Sequence, residues 1–429
     1  MDNFGEILSS YLSIPLQEKY ILNHKKSAQQ LVPANITASG AHAIHDLESY
    51  VDNRIGHGTF KEISKNNMKI LVVGGFSQNL NCYLSQLFNT ETIDVIKIPT
   101  LYEAWGLSKY LVPAQGKLKS PTLIWIVPPA LRYVRHYLTS FGMFSKTKPI
   151  GFVDNAAVNN YKQLAKHNAK IVSTNVNIDY LAFGYEKTWL TEIKKTENLK
   201  VLKLENVQSL ALGITFKVIH IFDSNKMEVV KIGLIASDLT VWGELAAIQV
   251  ENFLNPKLKG VIFLGSAGSI DEKVDIYDLS VPASFFRPGK KITIKNFLLK
   301  SLPEPAEAMI TVHTHSRHGN TFSPIEQNVP YLKAAIKKGI NTIDVEQSLI
   351  AEVIDAYNLK NKTEIKFGAV NIVTDKPYAI LTNELVQNSL DVLNYELKQK
   401  AREQAVSISL KGIFFDDEYN KAKLCSELF

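Results

Sequence analysis

The sequence is poor in cysteine, in clustered charge and in long apolar runs, and each shortage excludes a class of protein. Cys82 and Cys425 are the only cysteines among 429 residues, which excludes a disulfide scaffold or a cysteine-based zinc site and fits a reducing compartment. The net charge of +6 is spread along the chain, and basic residues stand at most in short pairs such as Lys194-Lys195. A nucleic-acid partner is therefore not expected, since such a surface needs clustered Lys and Arg with interleaved aromatics.

No segment has the properties of a membrane span or a secretory signal. The most apolar run, TLIWIVPPALRYV at 122–134, is too short to cross a bilayer and contains two prolines and an arginine. The stretch MDNFGEILSSYLSIPLQEK at 1–19 begins with an acidic residue and has no long apolar core. We expect a soluble protein with no membrane partner and the cytoplasm as its default location. An effector secreted without a cleavable signal would have the same sequence properties.

The first part of the chain predicts a helical segment followed by a Rossmann-like domain. Residues 1–65 are mostly helical in character, and residues 66–200 open with MKILVVGGFSQNLNCYLSQLF (68–88). This stretch reads as a buried strand, a Gly-Gly turn and an amphipathic helix. Further strand candidates are TLIWIV (122–127), IGFVD (150–154) and AKIVST (169–174). Because helical stretches separate them, we expect a parallel α/β sheet.

The turn at Gly74-Gly75 leaves two interpretations open. Residues 74–79 read GGFSQN, which lacks the G-x-G-x-x-G spacing of a dinucleotide-binding loop. Nucleotide binding and a plain tight turn both remain possible at this position.

The second part, residues 201–429, predicts a mixed sheet wrapped by helices, because its strands outnumber its helices. The polar segment YEKTWLTEIKKTENLK (185–200) is the expected boundary. Strand candidates are 200–204, 214–222, 229–236, 260–266, 278–286, 309–315, 342–346 and 365–375, and helix candidates are 242–254, 326–339 and 347–358.

Two features of this part indicate a ligand site. In GVIFLGSAGSI (260–270) an apolar strand runs into small residues, which is typical of a backbone that another group approaches closely. TIDVEQSLIAEV places Asp344 and Glu346 on one face of a strand, and GAVNIVTDKP ends a buried strand on Asp375. Buried carboxylates at strand ends are costly unless they are hydrogen-bonded or used, and α/β sheets bind ligands at such ends. These features predict a small polar ligand with one flat face.

The motifs of residues 205–415 resemble those of the nucleoside phosphorylase/nucleosidase superfamily. GVIFLGSAGSIDEKVDIYDLSVPASFF, VKIGLIASDLTVWGELAAIQVENFL, DVEQSLIAEV and NIVTDKP resemble the motifs of that family in their order along the chain. The resemblance implies cleavage of a purine N-glycosidic bond without a cofactor. It assigns Asp375 as the acid that protonates the purine and Glu346 as the carboxylate that binds the ribose hydroxyls. The further substrate-binding residues that it implies are Ser237, Gly265, Ser266, Ala267, Gly268, Phe322 and Val345.

Departures from the family pattern favour hydrolysis over phosphorolysis. ASDLTVWGE (236–244) lacks the arginine that phosphorolytic members carry, and no early phosphate loop is visible. Glu205 stands near the place of the glutamate that activates water in hydrolytic members. The leading expectation is a hydrolase acting on a purine nucleoside or nucleotide. A phosphate-dependent phosphorylase and a non-catalytic nucleoside-binding protein remain as alternatives, and the resemblance implies a homo-oligomer.

Each candidate residue also has a purely structural interpretation. Asp375 before Lys376-Pro377 fits a turn-capping aspartate, and Glu346 fits a carboxylate at a helix N-terminus. His313, His315 and His318 present a pattern that metal sites use, but the superfamily needs no metal and no third carboxylate is close in sequence. We therefore expect no metal, with one of these histidines or Arg317 lining the pocket.

Overall fold

A computed structural model describes most of the chain from residue 58 onward and a few residues before it. The residues described are 12–13, 51, 55, 58–88, 93–98, 107–115, 119–145, 147, 149–207, 210–212, 214–237, 243–287, 289–302, 310–314, 316–321, 327, 329–377 and 395–415. They form two compact units. The first comprises described residues within 1–164, 238–245 and 322–331, and the second those within 165–237, 246–321 and 332–429.

The first unit contains a sheet of six described strands in the order β1-β6-β2-β5-β4-β3. The strands are β1 Leu12–Ser13, β2 Lys69–Gly74, β3 Ile96–Ile98, β4 Ser108–Val112, β5 Thr122–Val127 and β6 Ile150–Val153. Its helices are α1 Thr59–Lys65, α2 Leu80–Phe88 and α3 Leu131–Phe144. Only β6, β2 and β5 run parallel, while β1, β4 and β3 add antiparallel edges. The expectation of a parallel sheet is therefore correct for the three central strands and wrong for the described sheet as a whole.

The Gly74-Gly75 turn is filled by groups of the protein itself. A side chain at Gly75 would collide with the hydroxyl group of Tyr83, and one at Gly74 would come within 2.7 Å of Val134. The Tyr83 hydroxyl donates a hydrogen bond of 2.8 Å to the carboxylate of Asp154. These neighbours account for both glycines and favour the plain-turn interpretation over a phosphate-binding loop.

The second unit contains a mixed sheet of twelve described strands. Its main path is β14-β13-β16-β17-β11-β7-β10-β9-β8, with β18 on β11, β12 on β18 and β15 on β12. The strands are β7 Tyr180–Phe183, β8 Leu199–Val207, β9 Ile214–Asp223, β10 Glu228–Ser237, β11 Gly260–Ser269, β12 Leu279–Ser280, β13 Ser284–Arg287, β14 Lys290–Ile292, β15 Val312–His313, β16 Arg317–Asn320, β17 Thr342–Asp344 and β18 Lys366–Asp375. A mixed sheet was expected here and is confirmed.

The remaining helices are α4 Asn155–Asn175, α5 Glu186–Lys195, α6 Gly243–Phe253, α7 Val329–Lys337, α8 Gln347–Asn361 and α9 Tyr395–Phe414. In the second unit, α5 and α9 pack on β11. Trp189 of α5, Ala405 of α9 and Leu264 of β11 belong to one buried apolar cluster. This cluster anchors the central strand from which the candidate site is built. No helix in the described part of the chain is long and apolar enough to cross a membrane.

Two predictions near the expected domain boundary differ from the structure. AKIVST (169–174) is not a strand but part of α4, because Ala165, Ala169 and Val172 form one buried face at helical spacing. The expected boundary segment 185–200 contains α5, whose Trp189 and Ile193 are fully buried in the second unit. The strand β7 before it also pairs with β10 and β11 of that unit. The first compact unit accordingly ends near residue 164 rather than 200.

Candidate active site

The site is organised by the carboxyl end of β11, which has neighbours on both sides. Gly268 of β11 pairs with Asp375 of the parallel strand β18 and with Ile343 of the antiparallel strand β17. Since neighbouring strands lie about 4.8 Å apart, the backbones of Asp375 and Ile343 are separated by about 10 Å across Gly268. The two motifs that carry Asp375 and Glu346 therefore flank the glycine-rich end of β11.

A bulge brings Asp375 beside Gly268. Ala267 pairs with Val373, whereas Gly268 pairs with Asp375, so β18 contains one extra residue, Thr374, at this point. A Cβ atom added to Gly268 would lie 3.0 Å from Asp375 Oδ2 and 2.9 Å from Cγ of Pro377. The carboxyl group of Asp375 thus lies on the side of the sheet to which a side chain of residue 268 would point.

Asp375 is a buried acid with one oxygen left unpaired. Its relative exposure is 5%. Oδ1 accepts a hydrogen bond of 2.9 Å from the Thr374 hydroxyl, whereas the buried Oδ2 has no hydrogen-bond partner among the described residues. Burial raises the pKa of Asp375 from 3.8 to about 6, against the opposing effect of the Thr374 hydrogen bond. Such a group is partly protonated near neutral pH and can act as a general acid.

The turn after β17 is held by Asp344 and begins α8. The Asp344 carboxylate accepts hydrogen bonds from the backbone N–H groups of Glu346 at 3.2 Å and of Gln347 at 3.0 Å. Glu346 is half-buried and stands at the N-cap position of α8. Its Oε2 accepts a bond of 3.3 Å from the N–H of Val345. Asp344 thus fixes the backbone of this turn, and Glu346 at the N-cap position also fits the structural interpretation of a carboxylate at a helix N-terminus.

The small residues of β11 have partners within the protein. A side chain at Gly265 would collide with the ring of Phe263, and the carbonyl oxygen of Gly265 accepts a hydrogen bond of 3.1 Å from the Tyr185 hydroxyl. Ala267 is buried, while Ser266 is exposed at the strand end. Contacts inside the protein therefore explain the glycines at 265 and 268 without a ligand, and Ser266 is the exposed group of this stretch.

Glu205 is not brought to the site. It lies on β8, which is five strands away from β18 along the sheet. Glu205 pairs with Val218 of β9, and the row of paired residues continues across β10 and β7 to Val261 of β11 and Phe367 of β18. Phe367 stands eight residues before Asp375. Eight residues of strand correspond to about 26 Å. The placement does not fit the expected role as the base for water.

The surroundings of Glu205 give it a different role. Its carboxylate pairs with Lys203 at 2.5 Å and with His220 at 3.1 Å. The hydrogen bond from Lys203 is the main reason that the pKa of Glu205 is lowered. Glu205 is a member of an ion-paired cluster on the edge strand.

Other predicted site residues are only partly described. Phe322 and His315 lie outside the described residues, and for Ser237 the structure describes only the backbone at the end of β10, paired with Ile214. The Nε2–H group of His313 donates to the Asp278 carboxylate at 2.7 Å, and His318 lies 2.9 Å from Asp344. Within the described ranges no group of three His, Cys, Asp or Glu residues is arranged to hold a metal ion.

No protein-family model and no curated protein matches the chain. Among solved structures it is similar to purine nucleoside phosphorylase from Toxoplasma gondii in complex with immucillin-H, at 12% identity and a TM-score of 0.41, covering 59% of this chain and 96% of that one. A putative 5′-methylthioadenosine/S-adenosylhomocysteine nucleosidase from Francisella philomiragia is 13% identical, with a TM-score of 0.38 and coverages of 55% and 99%. Uridine phosphorylase from Vibrio fischeri is 15% identical, with a TM-score of 0.39 and coverages of 58% and 96%.

Sequence reasoning missed one residue and one partner at this site. Thr374 is the hydrogen-bond partner of Asp375, and its position next to the acid was the only available signal. His318 was among the candidate pocket residues, but its contact with Asp344 was not predicted.

Proposed function

We propose that the protein hydrolyses the N-glycosidic bond of a purine nucleoside or nucleotide. The observation that carries this proposal is Asp375, whose buried Oδ2 has no partner among the described residues and whose pKa is raised by burial to about 6. A turn-capping aspartate would have both oxygens hydrogen-bonded and its pKa lowered, because backbone N–H groups favour the charged form.

The proposed reaction uses two carboxyl groups. Asp375 donates its proton to a ring nitrogen of the base as the C1′–N bond breaks and the bonding electrons pass to the base. Glu346, from the turn after β17, accepts hydrogen bonds from the ribose hydroxyls and stabilises the positive charge that develops on the sugar. A water molecule adds to C1′ and releases a proton to solvent, from which Asp375 is reprotonated, and the products are free ribose or ribose phosphate and free base.

Base release is the direct test of this proposal. The purified protein is incubated with adenosine, inosine, methylthioadenosine and AMP, and free base is measured by chromatography with and without inorganic phosphate. We expect base to appear from at least one substrate at a rate that does not depend on phosphate. A strict requirement for phosphate would replace hydrolysis by phosphorolysis, and the absence of base from every substrate would contradict an enzymatic role.

The position of Glu205 favours a second candidate function, a nucleoside-binding protein without turnover. The residue expected to activate water is ion-paired on the edge strand instead, as described above. Under this alternative, a nucleoside would raise the melting temperature of the protein while no base is released. A raised melting temperature together with base release would exclude it.

A further inference from the structure

A series of polar contacts between buried side chains leads to the Glu346 turn. Ser316 and Ser280 share a hydrogen bond of 2.8 Å, and Ser280 lies 3.3 Å from the Thr342 hydroxyl. Thr342 contacts Nδ1 of His318 at 3.0 Å. Nε2 of His318 lies 2.9 Å from Oδ1 of Asp344, within ion-pair distance but without the geometry of a hydrogen bond. All five residues are buried.

Asp344 connects His318 to the backbone of the turn that precedes α8. Apart from the His318 contact, its carboxylate accepts from the side-chain amide of Asn320 at 3.1 Å and from the N–H groups of Glu346, the N-cap residue, and Gln347, the first residue of α8. A shift of the His318 ring would move the anchor to which the Glu346 backbone is bonded.

A second contact connects the same turn to the strand of Asp375. The side-chain amides of Gln347 and Asn371 form a reciprocal pair at 2.9 and 3.2 Å, and both residues are fully buried. Asn371 stands in β18, four residues before Asp375. The turn that bears Glu346 is thus connected to β16 through His318 and to β18 through Gln347.

We propose that His318 is a positioning residue that acts through Asp344 to orient Glu346 toward the ribose hydroxyls. This inference rests on the proposed function. A buried polar pair is a poor means of increasing stability, because apolar residues of similar volume stabilise a fold equally well or better. What a buried pair supplies is a fixed direction, here transmitted to the N–H of Glu346.

The experiment compares His318→Leu, which removes both ring nitrogens, with His318→Gln, which retains a donor for Asp344. His313→Leu is the matched control, because His313 forms a comparable pair with Asp278 at 2.7 Å on another part of the sheet. For each variant, kcat/KM is measured for a ribonucleoside and for its 2′-deoxy analogue. We expect His318→Leu to reduce the ribo/deoxy ratio about tenfold, as displaced site groups commonly do. His318→Gln should retain most of the wild-type ribo/deoxy ratio, and His313→Leu should leave this ratio unchanged.

An unchanged ratio in folded His318→Leu, or an equal loss in His313→Leu, overturns the inference. If His318→Leu does not fold, the ribo/deoxy ratio is measured for His318→Gln and Asp344→Asn, alone and combined. Effects of the two substitutions on this ratio that are independent of each other overturn the inference. If the wild-type protein releases no base, the proposed function fails, and amide hydrogen exchange of residues 345–347 tests the positioning separately. Exchange there should be faster in His318→Leu than in wild type or His313→Leu, and equal rates overturn the inference.

Discussion

At the residue scale, ionisation of Asp375 connects stability with activity. Its pKa in the folded protein, about 6, is above the unfolded value of 3.8. The fold therefore favours the protonated acid, and the stability associated with this group is full below pH 4 and is lost as the pH rises through about 6. A difference of about two pKa units corresponds to roughly 3 kcal/mol as an upper limit.

Replacing Asp375 by Asn removes this pH-dependent cost together with the proton donor. We expect Asp375→Asn to exceed the wild type in free energy of unfolding by up to about 3 kcal/mol at pH 8 and to differ little at pH 4. Base release should fall by about 10²-fold or more. Urea unfolding at both pH values and chromatographic assays measure the two effects. A stability difference that is equal at pH 4 and pH 8 would contradict the assignment of a raised pKa.

Thr374 provides a graded test of the same acid. Its hydroxyl donates to Oδ1 of Asp375 and favours the ionised form. In Thr374→Val the pKa of Asp375 should rise further, so the decline of kcat/KM on the alkaline side should move upward by roughly one pH unit. Thr374→Ser retains the hydroxyl and serves as the control. A profile that moves to lower pH would rule out Asp375 as the group that must be protonated.

The sequence pointed to two candidate carboxylates but not to the groups that surround them. Asp375 and Glu346 could be singled out as candidates because each follows an apolar strand in a stretch that resembles a family motif. The partner of Asp344 was not, because His318 is 26 residues away along the chain and the contact depends on the pairing of β16 with β17. The explanation of Gly268 also required the fold, since the atoms that fill its space belong to Asp375 and Pro377, which are distant along the chain.

At the scale of the elements, the carboxyl end of β11 should tolerate no added side chain. In Gly268→Ala the new methyl group would lie 2.9 Å from Pro377 and 3.0 Å from Asp375 Oδ2. We expect a loss of about 1–3 kcal/mol in the free energy of unfolding and a loss of base release, because the acid is displaced. Gly260→Ala, at the other end of the strand, is the control. Its methyl group would meet the Tyr180 ring at 3.1 Å, so stability should fall while activity is retained. Equal losses of activity in both variants would contradict the claim that Gly268→Ala acts by displacing Asp375.

The edge strand β8 should be dispensable for chemistry. Glu205→Gln removes a carboxylate that pairs with Lys203 and His220 far from β18. We expect kcat/KM to remain within about twofold of the wild type, since general-base catalysis contributes 10²-fold or more when it is lost. Steady-state kinetics measure this. A large loss of kcat/KM would indicate that Glu205 takes part in catalysis. That result would require a strand order different from the one that places β8 far from β18.

Elements with clear boundaries were predictable, whereas strand neighbours were not. The predicted strands 214–222, 229–236 and 365–375 correspond closely to β9, β10 and β18 because polar residues bound their apolar runs. The four-residue strand β7 was missed because YLAF is too short to show a period. The misplacement of Glu205 has another cause, since strand order in a mixed sheet is set by long-range pairing rather than by local pattern.

At the scale of the whole molecule, each unit contains a fully buried tryptophan that can report on it. Trp125 is a core residue of the first unit and Trp189 of the second. Trp105 and Trp242 are replaced by phenylalanine in both variants, so that Trp189 alone remains in the Trp125→Phe variant and Trp125 alone in the Trp189→Phe variant. We expect a nucleoside to raise the transition temperature reported by Trp189, because Asp375 and Glu346 belong to the same unit. Fluorescence-detected thermal unfolding measures it. A shift seen only through Trp125 would place the ligand in the other unit.

The bulge at Thr374 has a consequence for how this strand can change over time. Side chains of a regular strand alternate between the two faces, so if β18 lost the bulge with its sequence unchanged, Thr374 would pair with Gly268 and the acid would turn toward the opposite surface. Point substitutions among the apolar positions of β18 should therefore be better tolerated than insertions or deletions that shift its pairing with β11. The register of β18 against β11, more than the residue composition of β18, determines where the carboxyl group of Asp375 lies.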